Sequence, residues 1–155
     1  MNLTAKIKLD DGAIMPTKAH STDVGMDIHA LEVEPIFAGS RNLLYKLKID
    51  TGVHVTPPDG YYFELVPNSR LAKSPYYYGN SIGVIDPDYT GSIKVMLNCT
   101  HALAPHMATI PQKGDVVGQL ILRKKYDVAF TQVDSLDETE RGEGGFGSTE
   151  KKSHD

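Results

Sequence analysis

Apolar residues in this chain recur at every second position, and that periodicity commits it to β-structure. Leu3, Ala5, Ile7 and Leu9 alternate with polar neighbours, as do Tyr45, Leu47 and Ile49, then Val53 and Val55, then Ile93, Val95 and Leu97. Successive side chains of a strand point to opposite faces, so each set predicts a half-buried strand. Denser apolar runs at 61–66, 82–85 and 116–122 predict strands buried on both faces. Turn chemistry separates the runs: Asp10-Asp11-Gly12, Pro57-Pro58-Asp59-Gly60, the stretch 86–91, and Gln112-Lys113-Gly114-Asp115. That spacing belongs to a sandwich or barrel of many short strands. No long stretch holds a 3.6-residue period, and only 69–74 has room for a short helical turn. The expected fold class is all-β.

Length limits how many such units the chain can hold: 155 residues suffice for one domain with a real core. Hydrophobic residues make up 40% and charged residues 23%, as in a folded globular protein rather than a disordered one. Residues 137–155 are the exception, with Phe146 the one large apolar side chain among Gly, Ser, Thr and charges. The chain therefore divides into a β domain, 1–136, and a flexible C-terminal arm, 137–155. Ordering such an arm costs about 1–2 kcal/mol per residue in backbone entropy, so it settles only against a ligand or a neighbouring subunit. It is a candidate lid.

A net charge of −4 argues against nucleic acid as the main partner, since a phosphate backbone needs a basic face. A small anion is still compatible, held by a few placed cations, backbone N–H groups or a metal. The first eleven residues lack the apolar run of a signal peptide, and no stretch is long enough to span a bilayer. A single cysteine, Cys99, cannot form an internal disulfide, which agrees with a reducing compartment. The expectation is a cytoplasmic protein with no membrane partner, or one in the host cytosol if the source is a phage or virus.

The arm contains Arg141-Gly142-Glu143-Gly144-Gly145-Phe146-Gly147-Ser148-Thr149, a literal match to G-x-G-x-x-G. A dinucleotide fingerprint needs a strand before it and a helix after it, and eight residues after Gly147 leave no room for that unit. A P-loop fails because Ser148 stands where its lysine belongs. What survives is a phosphate clamp: glycines admit backbone N–H groups to phosphate oxygens, Ser148 and Thr149 add hydroxyls, and Arg141 adds a charged fork. Phe146 offers a flat face for a base. Read alone, the segment is equally well a flexible tail with an incidental aromatic.

Asp86 ends the apolar run 82–85, where partial desolvation would suit a general base that takes a proton from water. A lone Asp before Pro87 is more often a turn residue. Gln119 interrupts an apolar strand, so its amide must satisfy backbone groups or face a site. Asp23-Val24-Gly25-Met26-Asp27 sets carboxylates beside a glycine turn, most often a solvated loop. The six histidines and Cys99 show no metal-site spacing and read as structural or surface residues.

Taken together and in order, these segments resemble the five motifs of the trimeric dUTPase family, with 21–30 similar to the first, 67–72 to the second, 80–91 to the third, 114–120 to the fourth and 141–149 to the fifth. The resemblance spans about residues 19–149. It implies a jelly-roll-like β subunit, a homotrimer with sites at subunit boundaries, and Mg2+-assisted cleavage of dUTP to dUMP and pyrophosphate, which removes dUTP and supplies dUMP for thymidylate synthesis. By the same resemblance, Asp86 deprotonates the water that attacks the α-phosphorus, and Ser69 and Gln119 bind phosphate oxygens. Arg141, Gly147, Ser148 and Thr149 hold the terminal phosphate. Asn80 and the hairpin backbone at Gly83, Val84 and Ile85 read uracil, Phe146 stacks on it, and Tyr89 lies against deoxyribose. Lys94 is close to substrate, and Asp27 meets the metal through water.

One position departs from the family pattern. The second motif usually reads Pro-Arg-Ser, whereas this chain has Pro67-Asn68-Ser69-Arg70. A cation that stabilises transition-state charge is worth a few kcal/mol, so Arg70 is expected to compensate in part for Asn68. Beside a purely structural β-sandwich, which fits the periodicity but leaves the glycine arm unexplained, two other readings compete. One is a dUTP-binding regulator or weakly active paralogue, for which Asn68 speaks. The other is a relative of the dCTP deaminases, which needs an acid/base glutamate in the base pocket, and no counterpart stands near the hairpin.

Overall fold

The computed structural model describes residues 3–40, 43–103 and 109–144. Ten strands carry the chain: β1 Lys6–Leu9, β2 Met26–His29, β3 Glu32–Ala38, β4 Leu43–Asp50, β5 Val53–Thr56, β6 Tyr61–Val66, β7 Tyr76–Tyr78, β8 Gly83–Ile85, β9 Lys94–Leu103 and β10 Val116–Lys124. One 3-10 turn, Leu71–Lys73, falls in the stretch expected to hold a helical turn. The all-β expectation stands. Among the described residues no helix is long and apolar enough to cross a membrane.

The strands form two four-stranded antiparallel sheets, β2-β10-β6-β8 and β3-β4-β9-β7, with β1-β5 as a two-stranded ribbon. Their inner faces meet in one core, to which the first sheet gives Ile28, Phe63, Leu65, Ile85 and Leu120 and the second gives Leu44, Leu47, Ile49, Val95 and Leu97. Each such side chain, fully buried, contributes about 1.5–3 kcal/mol, which makes this interleaving the main source of stability. The result is the jelly-roll-like sandwich that the resemblance implied.

Two expectations about faces need correction. Tyr45 was expected inward with Leu47 and Ile49, but it is 52% exposed and Leu44 takes the buried place. A register shift between Ile36 and Phe37 leaves Tyr45 as an extra residue of β4 against β3, and one extra residue turns the side chain to the other face. Residues 82–85 were expected buried on both faces, yet Ile82 is 50% and Val84 59% exposed. The reason is topological: β8 is an edge strand, and only Gly83 and Ile85 face the core. Similarly, Leu3 and Ile7 stay exposed because β1 pairs with β5 alone.

A second bulge, between Val116 and Gly118, joins the sheets. It takes Val117 out of the ladder with β2, and the Val117 carbonyl accepts instead from the Tyr78 hydroxyl at 2.7 Å, across the core from β7. Only glycine fits at 118, because a Cβ there would collide with the Tyr78 phenol oxygen. Burial pushes the Tyr78 phenol well above its ordinary pKa, so it stays a donor.

Candidate active site

The residues singled out in the sequence fall into two groups. The first gathers where β2 and β10 pair and β6 ends. Gln119 stands opposite Asp27 on one side and Val66 on the other. Its Nε2 donates to Asp27 Oδ1 at 3.0 Å, so the amide within the apolar strand does have a partner. Gly25 makes room for it, since a Cβ there would lie 2.7 Å from Gln119 Oε1. Beyond Val66 the chain turns through exposed Pro67, Ser69 and Arg70. Asn68 anchors the approach to the 3-10 turn: its carbonyl and its Oδ1 both accept from the Leu71 N–H, at 3.1 and 3.3 Å. Asn68 and Arg70 also line a cavity of about 440 Å³, walled by Tyr76, Ile110, Asp115 and Val117 among others.

The second group is the hairpin through β8. Ser81 holds a left-handed backbone (φ 60°), uncommon outside glycine, which bends the chain between Asn80 and Gly83. Gly83 packs against Leu65, where a Cβ would come within 3.2 Å of the Leu65 Cβ. As the edge of its sheet, β8 keeps a row of backbone N–H and C=O groups without ladder partners among the described residues. That row can read a base. Asp86 then opens a turn closed by Tyr89 N–H donating to the Asp86 carbonyl at 3.1 Å. The Tyr89 hydroxyl donates to Ser92 O at 2.8 Å, and the ring lies over Gly91, where a Cβ would sit 2.6 Å from the phenol oxygen.

The Asp86 side chain is exposed, and among the described residues it accepts no hydrogen bond. The partial desolvation expected of a base is not supplied by the described residues. Lys94, first residue of β9, is engaged: its Nζ lies 3.1 Å from Asp50 Oδ2, while Ser92 and the Gly52 N–H donate to the other oxygen. Burial pushes the Asp50 carboxyl upward, but the donors Ser92, Gly52 and Lys94 outweigh it and hold it below the usual range.

These two groups do not meet in one chain. β6 lies between β10 and β8, and Asp86 follows Ile85, which pairs with Phe63, whereas Gln119 pairs with Val66. Two strand spacings across and about four residues along put the Asp86 and Gln119 backbones roughly 15 Å apart. Arg141 is exposed, its Nε donating to Gly144 O at 2.9 Å. Phe146, Gly147, Ser148 and Thr149 lie outside the described residues. Among the described residues no three His, Cys, Asp or Glu side chains converge as a metal cluster.

Sequence reasoning passed over His54. It lies between Val53 and Val55, with Nδ1 2.8 Å from the Thr90 carbonyl and Nε2 3.0 Å from Asp10 Oδ2. Its partners are 36 and 44 positions away, so no local pattern could have marked it.

Comparison with known proteins agrees with this architecture. The family model described as dUTPase matches residues 11–150. The deoxyuridine 5'-triphosphate nucleotidohydrolase of Saccharomyces cerevisiae is 41% identical over 139 residues, covering 88% of this chain and 87% of its own. That of Corynebacterium efficiens is 38% identical over 144 residues, or 92% and 75%. Among solved structures, the Staphylococcus bacteriophage 80alpha dUTPase with dUpNHpp superposes with a TM-score of 0.74 at 26% identity, covering 94% of this chain and 98% of that one.

Proposed function

The chain belongs to the dUTPase family, and from that membership we propose that it hydrolyses dUTP to dUMP and pyrophosphate in a site assembled from more than one copy of itself. The observation that carries this is the separation just described. A base on Asp86 and a phosphate contact on Gln119 must serve one α-phosphate, yet within a chain they lie roughly 15 Å apart. A neighbour that brings its Asn68–Arg70 and Asp27–Gln119 group to this chain's hairpin completes the site. The relatives bear an enzyme's name, which does not favour the reading as an inactive binder.

In the assembled site, backbone groups of Gly83, Val84 and Ile85, with Asn80, pair with the donors and acceptors of uracil. Cytosine would leave buried polar groups unpaired, and such mismatches cost far more than a missing contact in water. Tyr89, held by Ser92, sets a wall against the deoxyribose. Asp86, uncommitted among the described residues, takes a proton from the water behind the α-phosphorus. The water oxygen bonds to phosphorus, the bond to the bridging oxygen breaks, and pyrophosphate leaves with that electron pair. Ser69, Arg70 and Gln119 bind phosphate oxygens, and Lys94 lies close by. Arg141, Gly147, Ser148 and Thr149 fold over the terminal phosphate, with Phe146 covering the base and shutting bulk solvent, but not the attacking water, away from Asp86. That closure supplies the desolvation that the described residues do not.

The residues fit a bound Mg2+ of the kind that keeps most of its water. Asp27 commits one carboxylate oxygen to Gln119, and among the described residues the other accepts nothing, so it can hold a metal-bound water. When present, the ion neutralises phosphate charge and fixes the triphosphate's orientation.

Three copies give closed symmetry in which each chain lends its hairpin to one neighbour and its Gln119 end to another. In support, Tyr126, Val128 and Phe130 project from the segment after β10 with exposures of 72%, 69% and 96%, an alternating apolar row that none of the described residues covers. That row lies within the proposed 1–136 domain, just before the arm proposed at 137–155.

Hydrolysis in 18O-labelled water tests the reaction. Among the (d)NTPs only dUTP should react readily, with label entering dUMP and not pyrophosphate. Asp86→Asn should lower kcat at least about 100-fold while binding of a non-hydrolysable dUTP analogue persists. Label in pyrophosphate, or an undiminished Asp86→Asn enzyme, would overturn the mechanism.

A further inference from the structure

We propose that His54 is a positioning residue for this hydrolysis, fixing the 86–91 turn and with it the Asp86 carboxylate by donating from both ring nitrogens at once. Its two partners decide the protonation state. The Thr90 carbonyl and the Asp10 carboxylate offer only lone pairs, and a neutral imidazole has a single N–H. Contacts of 2.8 and 3.0 Å at both nitrogens are therefore satisfied only by the imidazolium. A neutral ring would turn a lone pair toward one of the two oxygens.

The tether matters because of what it joins. Within 86–91, the Tyr89 N–H bonds inside the turn and the Tyr89 hydroxyl reaches Ser92 at the turn's own exit. Among the described residues only the Thr90–His54 bond fastens the turn to another element, the β1-β5 ribbon. His54 is largely covered, with 19% of its side chain exposed. The charged groups facing it are Asp10, just after β1, and Lys6 and Lys8 of β1, which line the same depression. Lys8 Nζ lies 3.3 Å from the other Asp10 oxygen, and the turn itself carries Asp86 and Asp88.

The Thr90 carbonyl first, and then the Asp10 carboxylate, hold the imidazole above its ordinary pKa, against the pull of burial and of Lys8. The sign follows. The tether is complete below the ordinary histidine value of about 6.5 and is lost as pH rises through the higher folded value. Misplacing a catalytic group by a fraction of an ångström costs turnover more than binding, so kcat should fall on the alkaline side while KM moves little.

The inference rests on the reading of Asp86 as the base, and the experiment separates the two. Ring-nitrogen NMR of the substrate-free protein should show His54 protonated at both nitrogens and titrating above an ordinary histidine. The protection factor of the Tyr89 amide, exchange corrected for its intrinsic rise with pH, should fall over the same pH range. His54→Gln should lower kcat at neutral pH by roughly fivefold, the worth of one hydrogen bond, and should lack the alkaline limb. Asp10→Asn, a milder change, should move ring titration and alkaline limb together to lower pH. A His54 that titrates at or below the ordinary value, or an alkaline limb unmoved in Asp10→Asn, overturns the proposal. An active Asp86→Asn enzyme instead overturns the base assignment, and the NMR and exchange measurements still judge the tether, since they need no turnover.

Discussion

Asn68 and Arg70 show how much one substitution can ask of its neighbourhood. The family pattern has a cation at position 68, and here the Asn68 carboxamide is spent on the Leu71 N–H. Arg70 begins the 3-10 turn with an exposed, unpaired guanidinium among the described residues, beside the same cavity. It is therefore free to swing to a phosphate, and we expect Arg70→Ala to cut kcat by at least about tenfold, the low end for a transition-state cation. Asn68→Arg should raise the activity of that variant. Steady-state kinetics on the single and double variants decides, and a wild-type kcat in Arg70→Ala would remove Arg70 from the site.

At the scale of elements, the bulge in β10 ties the sandwich to the site. By removing Val117 from the ladder it places Gln119 opposite Asp27, and the Tyr78 hydroxyl then satisfies the freed carbonyl. Tyr78→Phe keeps the ring but orphans a buried acceptor, which should cost about 1–3 kcal/mol in urea unfolding. Gly118→Ala should cost a similar amount through overpacking. Should Tyr78→Phe unfold at the wild-type midpoint, the bulge has another partner.

At the scale of the whole molecule, the prediction concerns sharing. Chains carrying Asp86→Asn and chains carrying Gln119→Ala should each be nearly inactive alone. Unfolded together and refolded as a mixture, they should regain about a quarter of wild-type sites by random assortment, since some sites draw Asp86 and Gln119 from unaltered copies. Light scattering should give three chains per particle. A monomer with full activity, or a mixture that stays inactive, would place the site within one chain after all.

The sequence by itself determined the all-β class, the turns and the place of the 3-10 turn, and it singled out the residues proposed for the site. Period-two alternation, glycine and proline punctuation, and motif order are local properties, and each is set by the geometry of a few adjacent residues. Tertiary structure decided which apolar residues are buried, because Tyr45 and Leu44 exchange faces through a bulge that depends on pairing with β3. It decided that Val84 is exposed, because strand order makes β8 an edge. It also decided that His54 serves as a double donor, because its two acceptors come from distant parts of the chain. Such facts depend on which strand lies beside which, and alternation along one strand carries no record of its neighbours.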